Sequence, residues 1–251
     1  MRLKPKLFKI YKRIGETPLE AIDRIREQFP DFSAEKMTYA GRLDPLAEGV
    51  LLILVGDECK NKETYLGYDK EYEVEILLGV KTDTGDLMGL IELENGSQIK
   101  DVVLTKNNED LENKIRTVLN LFLGKRTQAY PKFSSPKLCG KKDIFKEIEI
   151  KQIDFIEQRI VGPSALLDWV MKKIALVKGD FRQMKIIEKW KKILAFDQQF
   201  VVVKCRVFCT SGTYIRVLAE DVGRGLGFPA CVYSLKRTKV GDISLSDCLE
   251  F

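Results

Sequence analysis

A chain of 251 residues with 45% hydrophobic residues has material for one large mixed domain or two small ones. Its formal charge of +5 permits a polyanionic partner without establishing one. The absence of histidine excludes imidazole as a general base, the Ser-His-Asp and Cys-His nucleophile systems, and every His-containing zinc site, so any enzyme here must work with carboxylate, Tyr, Lys, Arg or Cys.

The N-terminal stretch, residues 1–13, carries charges but no apolar core or small-residue cleavage site, and no apolar run approaches the roughly 18–20 residues of a membrane span. A cytoplasmic protein with no membrane partner is expected. Thr17-Pro18-Leu19-Glu20 combines a capping residue, a proline at the first helical position and a Glu three residues after the cap. A helix with Leu19, Ile22, Ile25 and Phe29 on its buried side is predicted from there.

Residues 71–76 alternate strictly, which predicts a strand with Tyr72, Val74 and Ile76 facing inward and three glutamates outward. A second helix is predicted over about Asp110 to Leu123, with Gly124 as its stop. The segment after it, through Lys137, mixes basic residues, aromatics and prolines without periodicity and reads as an exposed binding loop within residues 124–147.

From Pro163 to Trp190 the pattern is helical again. Lys172, Lys173, Lys178, Arg182, Lys185, Lys189, Lys191 and Lys192 make it strongly basic, which suits either a solvated face or an RNA-contacting patch. Val201, Val203, Cys205 and Val207 alternate as a strand, which leads through Ser211-Gly212 into a helix ended by Gly223 and Gly225. The Gly-x-Gly-x-Gly run follows a helix rather than a strand, so it is read as a stop signal and not as a nucleotide fingerprint. The six cysteines (Cys59, Cys139, Cys205, Cys209, Cys231, Cys248) contain no C-x-x-C pair and read as reduced, mostly buried thiols. Strands and helices mix without βαβ regularity, which predicts an α+β fold.

Residues 40–51 are dense in turn formers and hold one carboxylate, Asp44, between a leucine and a proline, just before the apolar run 51–55. An Asp that caps the turn and an Asp that does chemistry are both open readings of this segment. Arg216 opens a helix directly after a strand, where a partly buried guanidinium needs a carboxylate partner.

These segments together resemble the TruB-type tRNA pseudouridine synthases. The family core Gly-x-Leu-Asp-Pro-Leu-Ala-x-Gly-Val-Leu matches Gly41 to Leu51, and the Lys-x-Tyr block is Lys70-Glu71-Tyr72. The Leu-Gly-x-x-Thr-Asp-Thr-x-Asp-x-x-Gly block runs from Leu78 to Gly89. The late block is Ser211-Gly212-Thr213-Tyr214-Ile215-Arg216, and its sequel Leu-x-Arg-Thr is Leu235-Lys236-Arg237-Thr238. The resemblance implies a pseudouridine synthase fold with a mixed, mainly antiparallel sheet. It implies isomerisation of uridine 55 in the tRNA T-loop by base flipping, with no metal or cofactor. Asp44 would break the glycosidic bond, and Tyr72 would stack on the flipped base and assist proton removal from C5. Arg216 would pair with Asp44, while Tyr214 and Leu235 would wall the pocket; Lys70 and Lys137 fall in the matching binding blocks. tRNA is the implied partner, no protein partner is implied, and a monomer is expected.

The chain also departs from the family pattern. Tyr39 stands where a His is usual before the catalytic Asp, and must supply any RNA contact made there. Arg42 stands where Thr is usual, and Gly-Arg-Leu-Asp is also the spelling in pseudouridine synthases of ribosomal RNA, which keeps that substrate, or a catalytically silent RNA-binding module, as alternatives. The sequence stops at Phe251, without room for the C-terminal PUA-like domain of many relatives, so the basic insertion at 163–195 is expected to compensate in holding RNA.

Overall fold

The structure is a computed structural model that describes residues 5–92, 108–131, 133, 145–195 and 198–249. In chain order the elements are β1 (Leu7–Lys12), α1 (Pro18–Gln28), β2 (Met37–Ala40), β3 (Ala47–Val55), α2 (Lys62–Gly67), β4 (Lys70–Leu78), α3 (Asn108–Asn120) and β5 (Gly124–Ala129). They continue with β6 (Phe145–Val161), α4 (Pro163–Ala175), α5 (Gln183–Ile193), β7 (Phe200–Cys209), α6 (Ile215–Leu226), β8 (Ala230–Val240) and β9 (Ile243–Ser244). The strands form one sheet in the order β1-β3-β8-β4-β7-β6-β5, with β2 on β3 and β9 on β8. Among the described strands only β3 and β8 pair in parallel, so the sheet is mixed and mainly antiparallel.

Both faces of the sheet are covered. Tyr72, Val74 and Ile76 of β4 lie with Val203, Cys205 and Val207 of β7 against α1, α3 and α6. On the other face Leu77, Val202, Cys231 and Tyr233 meet α4 and α5. Alternation of apolar side chains along β4 therefore continues at its end into burial on both sides, where an α/β-like run of apolar residues is needed.

The cap of α1 forms as its sequence dictates: Thr17 Oγ1 accepts from Glu20 N, and the Glu20 carboxylate accepts from Thr17 N. The buried stripe is Pro18, Ala21, Ile22 and Ile25, and Leu19 is 63% exposed, because the helix turns Ala21 rather than Leu19 toward the core. The predicted helix at 163–190 is two helices. The chain between them takes φ 82 at Gly179 and φ 65 at Arg182, which breaks the helical ladder. Leu166, Val170 and Ile174, then Ile186, Trp190 and Ile193, supply the two buried stripes.

Two further expectations are corrected. Residues 124–129 are not loop but strand β5, paired antiparallel with β6; its polar composition hid the alternation that places Gln128 inward. Gly223 and Gly225 do not end α6, which runs to Leu226 and is capped by Gly227 in the left-handed region. They serve close packing instead: a Cβ on Gly223 would lie 2.3 Å from the Ala230 Cβ, and one on Gly225 would lie 2.8 Å from Val118 Cγ1. Cys205, Cys209 and Cys231 are buried free thiols and Cys59 and Cys248 are partly exposed ones; Cys139 lies outside the described residues.

Candidate active site

The turn between β2 and β3 carries Asp44 and is held at both ends by buried cations. Arg237 of β8 donates from Nη2 to Gly41 O (3.0 Å) and from Nε to Val50 O (2.8 Å). Lys12, at the end of β1, donates to Ala47 O (2.6 Å) and more distantly to Pro45 O (3.4 Å). Its burial pushes the Lys12 ammonium down to about 8, while the charges of Glu16 and Asp44 act against that fall. The residues of this turn cannot drift without breaking bonds in the middle of the sheet.

Arg216 lies in the first turn of α6 and is buried, at 7% exposed. Its Nε is 2.8 Å from Asp44 Oδ2, Nη1 donates to Thr84 O (2.5 Å), and Nη2 donates to Phe133 O (3.1 Å). The guanidinium is thus satisfied on three sides, and the Asp44 side chain remains 31% open to the cavity beside it. Tyr72 stands across the strands from Arg237 and closes the inner wall. Burial pushes its phenol pKa up, and the Arg237 guanidinium pulls the other way.

These groups share one cavity of about 500 Å³. Asp44, Tyr72, Arg216, Arg42, Lys70, Tyr214 and Leu235 all line it. Lys70 is nevertheless committed to the fold, because its ammonium donates to Leu66 O and Tyr68 O and burial holds its pKa down at about 8. Tyr39 is not in the wall: it is half-buried on β2, with the Lys62 ammonium 5.1 Å from its ring centroid. Lys137 lies outside the described residues.

Several lining or supporting residues escaped the sequence reading. Arg237 sits in the quoted Leu-x-Arg-Thr block, but nothing in the block reveals that its guanidinium reaches the Asp44 turn. Lys12 could have been found from β1, where Phe8, Ile10 and Lys12 occupy successive inward positions. Gln128 exchanges two hydrogen bonds with the backbone of Tyr214 (3.0 and 2.7 Å), which sets that ring at the cavity edge. Lys146 crosses Gly212 so closely that a Cβ there would lie 1.8 Å from its Nζ, and φ is 83 at that glycine. Asp86 is a buried second carboxylate. It accepts from Thr84 Oγ1 (2.6 Å) and Met88 N (3.0 Å), and its pKa is raised by burial first, with Arg216 acting against the rise and Asp44 adding to it. Among the described residues no group of three His, Cys, Asp or Glu could hold a metal ion.

A carboxylate partly open to a cavity, a buried guanidinium paired with it and an aromatic wall give a site whose size and polarity suit one planar, polar ring. Residues 30–159 match the model of the TruB family pseudouridylate synthase, N-terminal domain. The chain is 31% identical over 245 residues to tRNA pseudouridine synthase B of Endomicrobium trichonymphae, which covers 98% of this chain and 89% of that protein. To tRNA pseudouridine synthase B of Psychrobacter arcticus it is 29% identical over 238 residues, 94% of this chain and 52% of that protein. In fold it is similar to a chain in the crystal structure of a Cbf5-Nop10-Gar1 complex, with a TM-score of 0.58 and 20% identity over 95% of this chain and 49% of that one. On the family match and the 31% identical relative, the chain belongs to the TruB family of pseudouridylate synthases.

Proposed function

We propose that this chain isomerises uridine 55 in the T-loop of tRNA to pseudouridine. The observation that carries the reading is the 2.8 Å pair between Asp44 Oδ2 and Arg216 Nε in the wall of a cavity also lined by Tyr72. A uridine stacked in its loop presents neither C1′ nor C5 to a protein, so it must be everted into such a cavity. There the bond from N1 to C1′ breaks, uracil turns, C5 bonds to C1′, the C5 proton leaves and N1 gains a proton.

Asp44 is the group that acts on the ribose or base to open the glycosidic bond, and Arg216 keeps it oriented. Tyr72 stacks on the everted ring. Burial keeps its phenol protonated in the resting site, and Arg237 beside it eases ionisation at the moment the C5 proton must be taken. Arg42 and Tyr214 flank the entrance, and the outward lysines of α5 meet phosphates. On this reading the enzyme acts as a monomer on tRNA in the cytoplasm. Among the described residues no helix is long and apolar enough to cross a membrane.

Release of tritium from C5-labelled uridine in a tRNA transcript tests the reading. The chain should release label, and Asp44→Asn should lower the rate by on the order of 10³-fold or more. Binding of the transcript without release by the unaltered chain would make it an RNA-binding module. Release from ribosomal RNA but not from tRNA would move the substrate, as Arg42 in the Gly-Arg-Leu-Asp turn allows.

A further inference from the structure

Arg182 has the one positive φ among the described non-glycine residues, φ 65 and ψ 23, in the connection between α4 and α5. A bulky residue held in the left-handed region costs free energy, so its surroundings must enforce it. They do so locally. Gln183 Nε2 donates to Gly179 O (2.7 Å), Phe181 N donates to Gln183 Oε1 (2.8 Å), and Arg182 N donates to Asp180 Oδ1 (3.1 Å).

This stitching aims the side chain away from its own hairpin. The Arg182 guanidinium makes a two-point contact with Asp83, Nη1 to Oδ2 at 2.8 Å and Nη2 to Oδ1 at 3.3 Å, and lies 5.2 Å from the ring centroid of Phe133. Asp83 is rigid in turn, because its backbone N–H donates to Leu90 O and its carboxylate accepts from Leu90 N. The residue after Asp83 is Thr84, whose carbonyl accepts from Arg216 Nη1, and the carbonyl of Phe133 accepts from Arg216 Nη2. Of the two carbonyls that fix the far end of Arg216, one therefore belongs to the residue next to Asp83, which Arg182 pairs with, and the other to Phe133, over whose ring Arg182 lies. The same hairpin touches the Asp44 turn by a second route: Gly15 N donates to Pro45 O, and Gly15 packs so tightly under Leu176 that a Cβ would lie 2.3 Å from the Leu176 carbonyl oxygen.

We infer that Arg182 is a positioning residue for the isomerisation: it ties the α4–α5 hairpin to the Asp83 loop and Phe133, and so holds Arg216 in the orientation that presents Nε to Asp44. The inference rests on the function proposed above. It gives the hairpin a part in the chemical step that is separate from any contact of its lysines with RNA.

Steady-state kinetics on a T-stem-loop RNA, with thermal unfolding of each variant, test it. Arg182→Gln should lower kcat about tenfold with KM within twofold, because misplacement of a positioning group slows the step without loosening the substrate. Arg182→Lys should recover only part of that, since an ammonium lacks the fork that Asp83 accepts. Arg182→Gly should melt no lower than the unaltered chain, because glycine accepts the backbone angle, yet should be as slow as Arg182→Gln. Asp83→Asn combined with Arg182→Gln should be no slower than the slower single variant.

An unchanged kcat in Arg182→Gln overturns the inference. So does a rise in KM alone, which would make Arg182 an RNA contact, or recovery of full kcat in Arg182→Gly, which would make the residue merely structural. Absence of turnover by the unaltered chain would overturn both this inference and the function on which it rests. Turnover that is indifferent to Arg182 leaves that function standing and removes only the positioning role.

Discussion

Tyr72 and Arg237 are cross-strand partners in the centre of the sheet, and their chemistry is coupled by that register. A buried phenol resists ionisation, and a neighbouring guanidinium is the group that relieves the resistance. On the proposed role of Tyr72, Tyr72→Phe keeps the ring and removes the hydroxyl, so it should bind RNA as before while kcat falls about 10²-fold or more. Tyr72→Leu should lose binding as well, which separates the ring from its hydroxyl. A fall in affinity alone for Tyr72→Phe would limit the residue to stacking. That Asp44, Tyr72 and Arg216 would meet in one cavity was legible in the sequence, because each sits in a local block whose order along the chain carries the signal. Lys12, Arg237 and Gln128 support them across 33 or more positions of sequence, as in the Lys12 bond to Pro45, and such support is a property of strand order that no local pattern encodes.

The α5 helix has its apolar stripe, Ile186, Trp190 and Ile193, turned to the sheet, and Lys185, Lys189, Lys191 and Lys192 turned outward. Exposed lysines spaced along one helix suit the phosphates of an RNA backbone, and each phosphate contact steepens the dependence of binding on salt. Replacing Lys189, Lys191 and Lys192 with Glu should weaken tRNA binding at least about tenfold and flatten its salt dependence, with kcat at saturating RNA unchanged. Binding and salt slope equal to those of the unaltered chain would leave these lysines as a solvated face. Elements with strong periodicity, such as α1, α3 and β4, could be placed from the sequence to within a few residues. Strand β5 could not, because at the sheet edge it buries only Gln128 and so shows no apolar alternation, and Gly223 and Gly225 misled because close packing and helix termination both select glycine.

Among the described residues the molecule buries two lysines and several thiols, and these push its response to alkali in opposite directions. Lys12 and Lys70 have pKa values near 8 in the folded chain, against about 10.5 for a free lysine. Between those values the unfolded chain holds protons that the folded chain has released, so stability rises with pH. Burial raises Cys205 to about 12 and Cys209 and Cys248 to about 11, and it raises Cys231 as well. From about pH 9 upward the unfolded chain loses thiol protons that the folded chain keeps, so these groups make stability fall. Lys12 and Lys70, with a smaller lowering at Lys173, act one way from pH 8; the thiols act the other way from pH 9, and Tyr72, Tyr214 and Tyr233, also raised by burial, join them above pH 10. The urea midpoint should therefore climb by about 0.5 M between pH 7.5 and 9 and decline above it. Lys12→Met should flatten the climb, because it removes one of the two ammoniums, and Cys205→Ala should blunt the decline. A midpoint that falls steadily from pH 7.5 would mean that the two ammoniums keep their protons inside the fold, and the Asp44 turn would then rest on a charged Lys12 throughout the working range.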